Sequence, residues 1–285
     1  MNNQTHNTLR IGKIRFINLY PIYHKIENSC DCQSFEFVSG VPSKLNHLVR
    51  TGAIDLSPSS SIEYLRNPSL YSLIDGHSIS STGPVRSINL FSCVAIEELG
   101  GEEILTSSQS ETSVVLLAVI LRTFYALECS LIPTSETLTQ ALCTHKACLL
   151  IGDDALVEAQ NEYRHLYVYD LGHLWQHFTG LPFVYALWIV NNKCLTKSKY
   201  PLFEVFKGYL DEAKKDCINH FSHIAREVCC HSPLSQEEVL RYWKGISYDF
   251  TKEHQKGLEL FKHLAHEAGC LSVHPAHLTE VSSGR

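Results

Sequence analysis

The sequence predicts an α/β protein built as two lobes with a ligand cleft between them. Short apolar strands alternate with short helices in two successive sets, the pattern of βαβ units and parallel sheets. Two long apolar segments, 85–94 and 183–190, stand where the first set ends and the second returns. The last third, from Pro201 onward, turns almost wholly helical in pattern.

Leu9 to Phe16 reads as the first strand and Ser34 to Val38 as the second. Pro42 to Thr51 is a short helix stopped by Gly52, the residue that most easily takes a left-handed helix end. Ile54 to Pro58 is a strand. Ser60 opens the next helix, and Glu63 completes a Ser-x-x-Glu capping box. Val85 to Val94 is a longer strand leading into the second set. There, Ile104 to Thr106 is a strand and Glu111 to Leu127 an apolar, buried helix. Leu131–Ile132 lies in a strand, Ser135 to His145 is helical, and Ala147 to Ile151 is a strand. Asp154 to Gln160 is helical, Leu166 to Tyr169 a strand, and Gly172 to Phe178 a short helix. Phe183 to Val190 is an unbroken apolar strand. Pro201 to Val228 and Ser235 to Ala268 are helical, the second opened by a capping box of Ser235 and Glu238. The tail after His274 reads as loosely ordered. Residues 1–90 plus 190–285 would make lobe one and 93–186 lobe two, with crossings near Leu90–Ser92 and Leu187–Val190. That is the layout of periplasmic-binding-protein-like (type II) folds, whose default ligand site is the cleft.

A chain of 285 residues buries roughly 75% of its unfolded surface without staples. The net charge of −6 argues against a nucleic-acid partner, and it leaves any anionic ligand to local groups. The polar start, Met1 to Thr8, lacks the apolar core of a secretory signal. The longest apolar run, Val114 to Leu121, is too short to span a bilayer. Eleven irregularly spaced cysteines fit a reducing compartment. A cytoplasmic protein, monomeric or weakly self-associating, is therefore expected. Cys30-Asp-Cys32, Cys229-Cys230-His231 and His274-Pro-Ala-His277 have no partner at zinc-site spacing, so no metal is expected. Nucleotide loops and serine-nucleophile elbows are absent, and no cofactor is expected.

Several motifs carry more polarity than their elements need. Asp55-Leu-Ser-Pro-Ser-Ser-Ser-Ile-Glu-Tyr64 is a strand, a turn and a helix start whose serines either cap the helix or offer donors to a carboxylate. Thr106 to Ser113 repeats this in the second set, with more polar groups than a cap requires. Two such starts, one per lobe, would face a dianion from both sides. Asn18, in Ile14-Arg-Phe-Ile-Asn-Leu-Tyr-Pro21, either sits where a strand end opens into the crevice or makes a turn before Pro21. In Ser81-Thr-Gly-Pro-Val-Arg-Ser-Ile-Asn-Leu90, strand alternation puts Ser87 and Asn89 on one face and Arg86 on the other. Gly152 permits a close approach, and Asp153 or Asp154 reads as a helix cap. Asp170 to Trp188 combines glycines, histidines, a Thr-Gly-Leu-Pro turn and large aromatics, a local conflict of the kind found at functional sites. There Trp175 and Phe178 would wall the cleft or pack beneath it.

Taken together, Ile11-Gly-Lys-Ile-x-Phe-Ile-Asn18, Gly52-x-Ile-Asp-Leu-x-Pro-x-Ser-Ser-Ile-Glu-Tyr64, Gly83-Pro-Val-x-Ser-Ile-x-Leu90, Ser110-x-Thr-Ser113, Leu150-Ile-Gly-Asp153 and Asp170-Leu-Gly-x-x-Trp…Thr179-Gly-Leu-Pro-Phe-Val-x-Ala-x-Trp188 resemble the chorismate dehydratases of the futalosine route to menaquinone. The resemblance runs in order over about residues 9–190, and the helical third matches only in type. It implies a two-lobed lyase that removes water from chorismate, a small-molecule substrate, to leave 3-[(1-carboxyvinyl)oxy]benzoate. It places Asn18 and Ser87 at the reacting centre. Ser60, Ser61, Thr112 and Ser113 would hold carboxylates, Gly152 and Asp153 would line the wall, and Trp175 and Thr179 would join the substrate contacts. Relatives often carry Tyr at position 16, where this chain has Phe16. A naphthoate synthase of the same pathway shares the fold, but its Ser-Pro-Cys-Pro-Asn-type motif is missing here. A solute-binding protein is the alternative from another class, and the lack of a signal peptide weighs against it.

Overall fold

A computed structural model describes residues 8–29, 34–161, 163–230 and 232–271. The tail after His274, the Cys30–Cys32 pair and His231 lie outside them. Strands β1 (Leu9–Ile14), β2 (Phe35–Gly40), β3 (Leu56–Ser60), β4 (Tyr71–Ser81), β10 (Phe183–Asn191) and β11 (Ser247–Asp249) form one sheet, in the order β11-β4-β10-β3-β1-β2. Strands β5 (Ile88–Ser92), β6 (Glu103–Ser107), β7 (Ser130–Thr134), β8 (Ala147–Ile151) and β9 (Tyr167–Asp170) form the second, in the order β7-β6-β8-β5-β9. Each sheet is the floor of one lobe, and the chain has the periplasmic-binding-protein-like architecture that the sequence predicts.

The sheets are mixed rather than parallel. β1 runs parallel to β2 and β3, and β6 to β7 and β8, as helix crossovers require. β10 runs antiparallel to β3 and β4, and β5 to β8 and β9. A strand arriving from the other lobe has no local crossover, so nothing forces it to run with its neighbours. Nor do the long strands themselves bridge the lobes. Leu90 to Ser92 pair wholly with β8 and β9, and Leu187 to Val190 with β3 and β4. The chain changes sheet between Ser81 and Ile88, and returns between Asp170 and Phe183.

Two elements have no counterpart in the sequence reading. Helix α1 (Tyr20–Ser29) begins with Pro21 in its first turn, where a missing N–H costs nothing. That same proline reads as a turn in the sequence. β4 buries His77, Ser78, Ser80 and Ser81, so it lacks the apolar alternation of an ordinary strand. Its hydroxyls are satisfied by backbone instead, Ser78 donating to Asp249 O and Ser80 to Ser247 O. The 235–268 stretch is not one helical run. It is α9 (Gln236–Gly245), β11 and α10 (Lys252–Glu267).

The helices that join these strands are α2 (Pro42–Thr51), α3 (Ser61–Arg66), α4 (Glu111–Val119), α5 (Leu138–Thr144), α6 (Gly152–Glu158) and α7 (Leu171–Thr179). α4 stops short of Leu127, its last turn widening into a π-helical segment at Ile120–Phe124. The long α8 (Tyr200–Cys229) packs against α1. The capping box at Ser235 forms, with Glu238 reaching back to the Ser235 N–H at 2.6 Å. The one expected at Ser60 does not, because Glu63 is taken elsewhere. Its fully buried carboxylate accepts from Arg50 (3.0 and 2.6 Å), Tyr71 (2.6 Å) and Asn67 (3.1 Å). Among the described residues no helix is long and apolar enough to cross a membrane.

Candidate active site

The carboxyl end of β1, the starts of α3, α4 and α6, and the β4–β5 connection converge on one cavity of about 60 Å³. Asn18, Ser60, Ser87, Ser113 and Gly152 line it, together with Phe16, Tyr185 and Tyr242. Pockets that bind small organic ligands usually measure roughly 300–1,000 Å³, so the lobes here are drawn together. Several contacts join them beside this cavity. Asp153 accepts from Ile17 N at 3.1 Å, Thr112 Oγ1 accepts from Ile62 N at 3.2 Å, Arg66 pairs with Glu111, and the Phe16 ring lies against Gly152.

Asn18 sits just beyond β1 in a short 3-10 turn, Ile17–Leu19. Its backbone is held by the second half of the chain: Tyr248 donates its hydroxyl to Asn18 O, and Trp243 Nε1 donates to Ile17 O at 2.8 Å. The side-chain oxygen Oδ1 is buried and has no hydrogen-bond partner. Leaving such a group unsatisfied costs about 1–3 kcal/mol, which a ligand donor would recover.

Ser87 Oγ accepts from the Tyr242 hydroxyl at 2.9 Å, and its carbonyl accepts from Gly152 N at 2.7 Å. The expected sharing of a face by Ser87 and Asn89 is not found. Arg86 adopts φ +66°, so the strand pattern starts only after it, and the Ser87 and Asn89 side chains go to different partners. Asn89 turns to donate to Arg86 O at 2.7 Å and lines a separate cavity with Arg86 and Asp170. Asp170 holds this bend, accepting from Val85 N at 3.0 Å and Arg86 N at 2.5 Å while capping α7 through His173 N at 2.9 Å. One carboxylate thus ties the outgoing connection between lobes to the returning one. Gly172 lets them touch, since a Cβ there would lie 2.7 Å from Gly83 O.

The two serine-rich helix starts do converge, one from each lobe. Ser60, Ser61, Thr112 and Ser113 are all buried. Ser60 and Ser113 line the cavity, with Ser110 beside them. Ser61 and Thr112 meet each other at 3.5 Å in the seam between α3 and α4. Ser60 Oγ accepts from Asn46 Nδ2 at 2.8 Å, and Ser110 caps α4 by accepting from Ser113 N at 3.4 Å. Neither Asp153 nor Asp154 caps α6; Ile151 holds that position without a side-chain bond. Asp153 serves the lobe contact instead. Burial pushes its carboxyl above the ordinary range, the Ile17 N–H pulls it back in part, and neighbouring Asp154 adds to the rise.

Trp175 and Thr179 lie apart from the cavity. Trp175 is fully buried and meets Phe183 and Phe261 edge to face. Thr179 Oγ1 donates to Trp175 O at 2.7 Å. Phe178 is partly exposed and stacks on Phe124. His173 and His177 stack on each other in the exposed part of α7. The sequence reading missed Tyr185 and Tyr242. Tyr242 belongs to the Val239–Tyr242–Trp243 buried stripe of α9, a helical spacing that marks it only as core. Among the described lining residues there is no Asp, Glu, His, Lys or Arg. The site offers amide and hydroxyl groups able to bind and orient an anion, and no side chain that ionises near neutral pH.

Comparison with known proteins agrees with this architecture. The family model described as menaquinone biosynthesis matches residues 9–267. The chain belongs to that family. It is 26% identical over 272 residues to a chorismate dehydratase from Thermus thermophilus, covering 88% of this chain and 93% of the relative. For this family member, solved structures speak to the fold alone. A protein from Archaeoglobus fulgidus superposes with a TM-score of 0.76 at 16% identity, over 94% of this chain and 100% of that one. The alkanesulfonate-binding protein SsuA from Xanthomonas axonopodis pv. citri, bound to MOPS, gives 0.66 at 14% identity, over 94% and 95%.

Proposed function

We propose that this chain removes water from chorismate, giving 3-[(1-carboxyvinyl)oxy]benzoate for menaquinone synthesis by the futalosine route. Family membership and the dehydratase relative support the reading. The observation that carries it is the unpaired, buried Asn18 Oδ1 at a cavity lined otherwise by hydroxyls and apolar groups. The C3–H bond of chorismate breaks, the C4 hydroxyl leaves, and the ring becomes aromatic. A general base ordinarily contributes about 10²–10⁴ in rate, and the lining holds none. The substrate's own enolpyruvyl carboxylate would take the C3 proton and pass it to the departing hydroxyl, leaving as water. Asn18 would orient the ring, Ser87 would face the leaving oxygen, and Ser60, Ser61, Thr112 and Ser113 would hold carboxylates at the two helix starts. Lobes of 1–90 plus 190–285 and of 93–186 would close over the substrate. The free thiols suit a reducing cytoplasm.

The test is to mix purified protein with chorismate and follow loss of water by mass and gain of aromatic absorbance. Asn18→Ala removes an acceptor whose bond to a substrate donor is worth about 1–3 kcal/mol, so turnover should fall by roughly 5- to 150-fold. His173→Ala and His177→Ala should keep turnover. If the histidine changes abolish turnover and Asn18→Ala does not, the substrate-assisted route is wrong. Binding without turnover would leave a solute-binding protein.

A further inference from the structure

The two residues placed at the reacting centre, Asn18 and Ser87, come from separate connections, yet both are held by one short unit of the chain. Tyr242 on α9 donates to Ser87 Oγ at 2.9 Å. Its neighbour Trp243 donates to Ile17 O at 2.8 Å, and Tyr248 on β11 donates to Asn18 O. Tyr242 is 2% exposed and Ser87 4%, so water does not compete for their bond. A serine hydroxyl has one proton and two acceptor sites. With one acceptor site filled by Tyr242, and no other side-chain bond from Ser87 Oγ among the described residues, the serine proton is left for the cavity.

We propose that Tyr242 is a positioning residue that fixes the Ser87 hydroxyl as a hydrogen-bond donor towards the oxygen leaving the substrate. The inference rests on the dehydratase reading. In the step concerned the C4–O bond breaks and its electron pair stays on oxygen. The proton that completes water is the one first taken from C3 by the substrate carboxylate. Ser87 keeps its own proton and stabilises the charge growing on the oxygen. Tyr242 also keeps its proton: burial raises its phenol far above the ordinary range, with the Ser87 bond lowering it only in part. The pair therefore orients a donor and does not relay a proton.

Tyr242→Phe removes the hydroxyl and keeps the ring that lines the cavity. One neutral hydrogen bond is worth about 0.5–1.5 kcal/mol, so kcat should fall about two- to tenfold with KM within about twofold. Melting temperature should fall by no more than a few degrees, the loss that one neutral hydrogen bond carries in a chain of this size. In a Ser87→Ala background, Tyr242→Phe should cost nothing more, because the hydroxyl it orients is gone. A merely structural tyrosine would instead lower activity equally in both backgrounds. Unchanged kcat in Tyr242→Phe, or the same loss with and without Ser87, overturns the proposal while the dehydratase reading stands. If the wild type does not turn over chorismate, that reading falls and takes this inference with it.

Discussion

Gly152 meets the Phe16 ring across the cavity, and replacing it by Ala tests that contact directly. Its φ is +64°, where an L side chain costs roughly 1–2 kcal/mol. The added Cβ would stand 3.0, 3.2 and 3.2 Å from three carbons of the Phe16 ring. Overpacking of that kind costs roughly 1–3 kcal/mol. Together they give roughly 2–5 kcal/mol, or a melting temperature about 5–15 °C lower at the slope usual for chains of this size. Phe16 lines the candidate site and also a wider outer cavity bearing Lys13, Arg15 and His24. A displaced ring should therefore lower kcat/KM as well. The two contributions separate in a double-mutant cycle read by thermal melting. In a Phe16→Ala background the steric part vanishes, and Gly152→Ala should cost only the backbone strain. The reasoning fails if Gly152→Ala melts like the wild type, or if its cost is the same with and without the ring.

Removing either partner of the buried Glu63 pair should give unequal losses. Glu63 is fully buried and Arg50 is 43% exposed, so Arg50→Ala strands a charge and should cost about 3–5 kcal/mol. Glu63→Gln frees an arginine that water can solvate and should cost about 1–2 kcal/mol; urea denaturation giving the reverse order would defeat this account. Asp55 should control acid stability. Burial pushes its carboxyl up, but hydrogen bonds from Arg10 and Lys199 more than offset this and hold it below its ordinary value of 3.8. The unfolded chain then binds the proton more readily, so the stabilisation is complete above the usual carboxylate range and is lost as pH falls below about 4. Melting from pH 7 to pH 3 should fall less steeply in Asp55→Asn, and an unchanged slope would contradict the assignment.

The parts of this molecule legible in the sequence are those whose signal is local. β8 and β10 announce themselves by apolar runs, and α2 by Pro42 at its start and the left-handed Gly52 that ends it. Asn18, Ser60, Ser87, Ser113 and Gly152 meet at one cavity, although they are far apart in the chain. What was illegible depends on partners. β4 carries buried serines that make sense only beside β11. Ser60 and Glu63 have capping-box spacing, yet Glu63 finds Arg50, Asn67 and Tyr71 and leaves the cap unmade. Tyr242 looks like one more apolar helix residue until Ser87 is folded against it. Trp175 has the size and setting of a cleft aromatic, but Phe183 and Phe261 take it into the core.

The placement of charge sets a firmly paired first lobe beside lighter polar contacts at the cavity. The two most heavily paired buried carboxylates, Asp55 and Glu63, both lie in the lobe of the first sheet, and their partners Arg10, Lys199 and Arg50 belong to it too. Breaking such pairs is costly, so that lobe should move as one body. The polar contacts across the seam beside the cavity are of a lighter kind. Thr112 with Ile62 N is a neutral bond worth about 0.5–1.5 kcal/mol. Arg66 with Glu111 is a pair of half-exposed side chains, worth about 0–1 kcal/mol. Asp153 with Ile17 N sets a carboxylate against a backbone N–H, and burial already strains its charged form. Of the contacts between the lobes, those beside the cavity are therefore the cheapest to release, about a few kcal/mol together, whereas the packing of α10 on both β10 and α4 holds the two sheets together away from it.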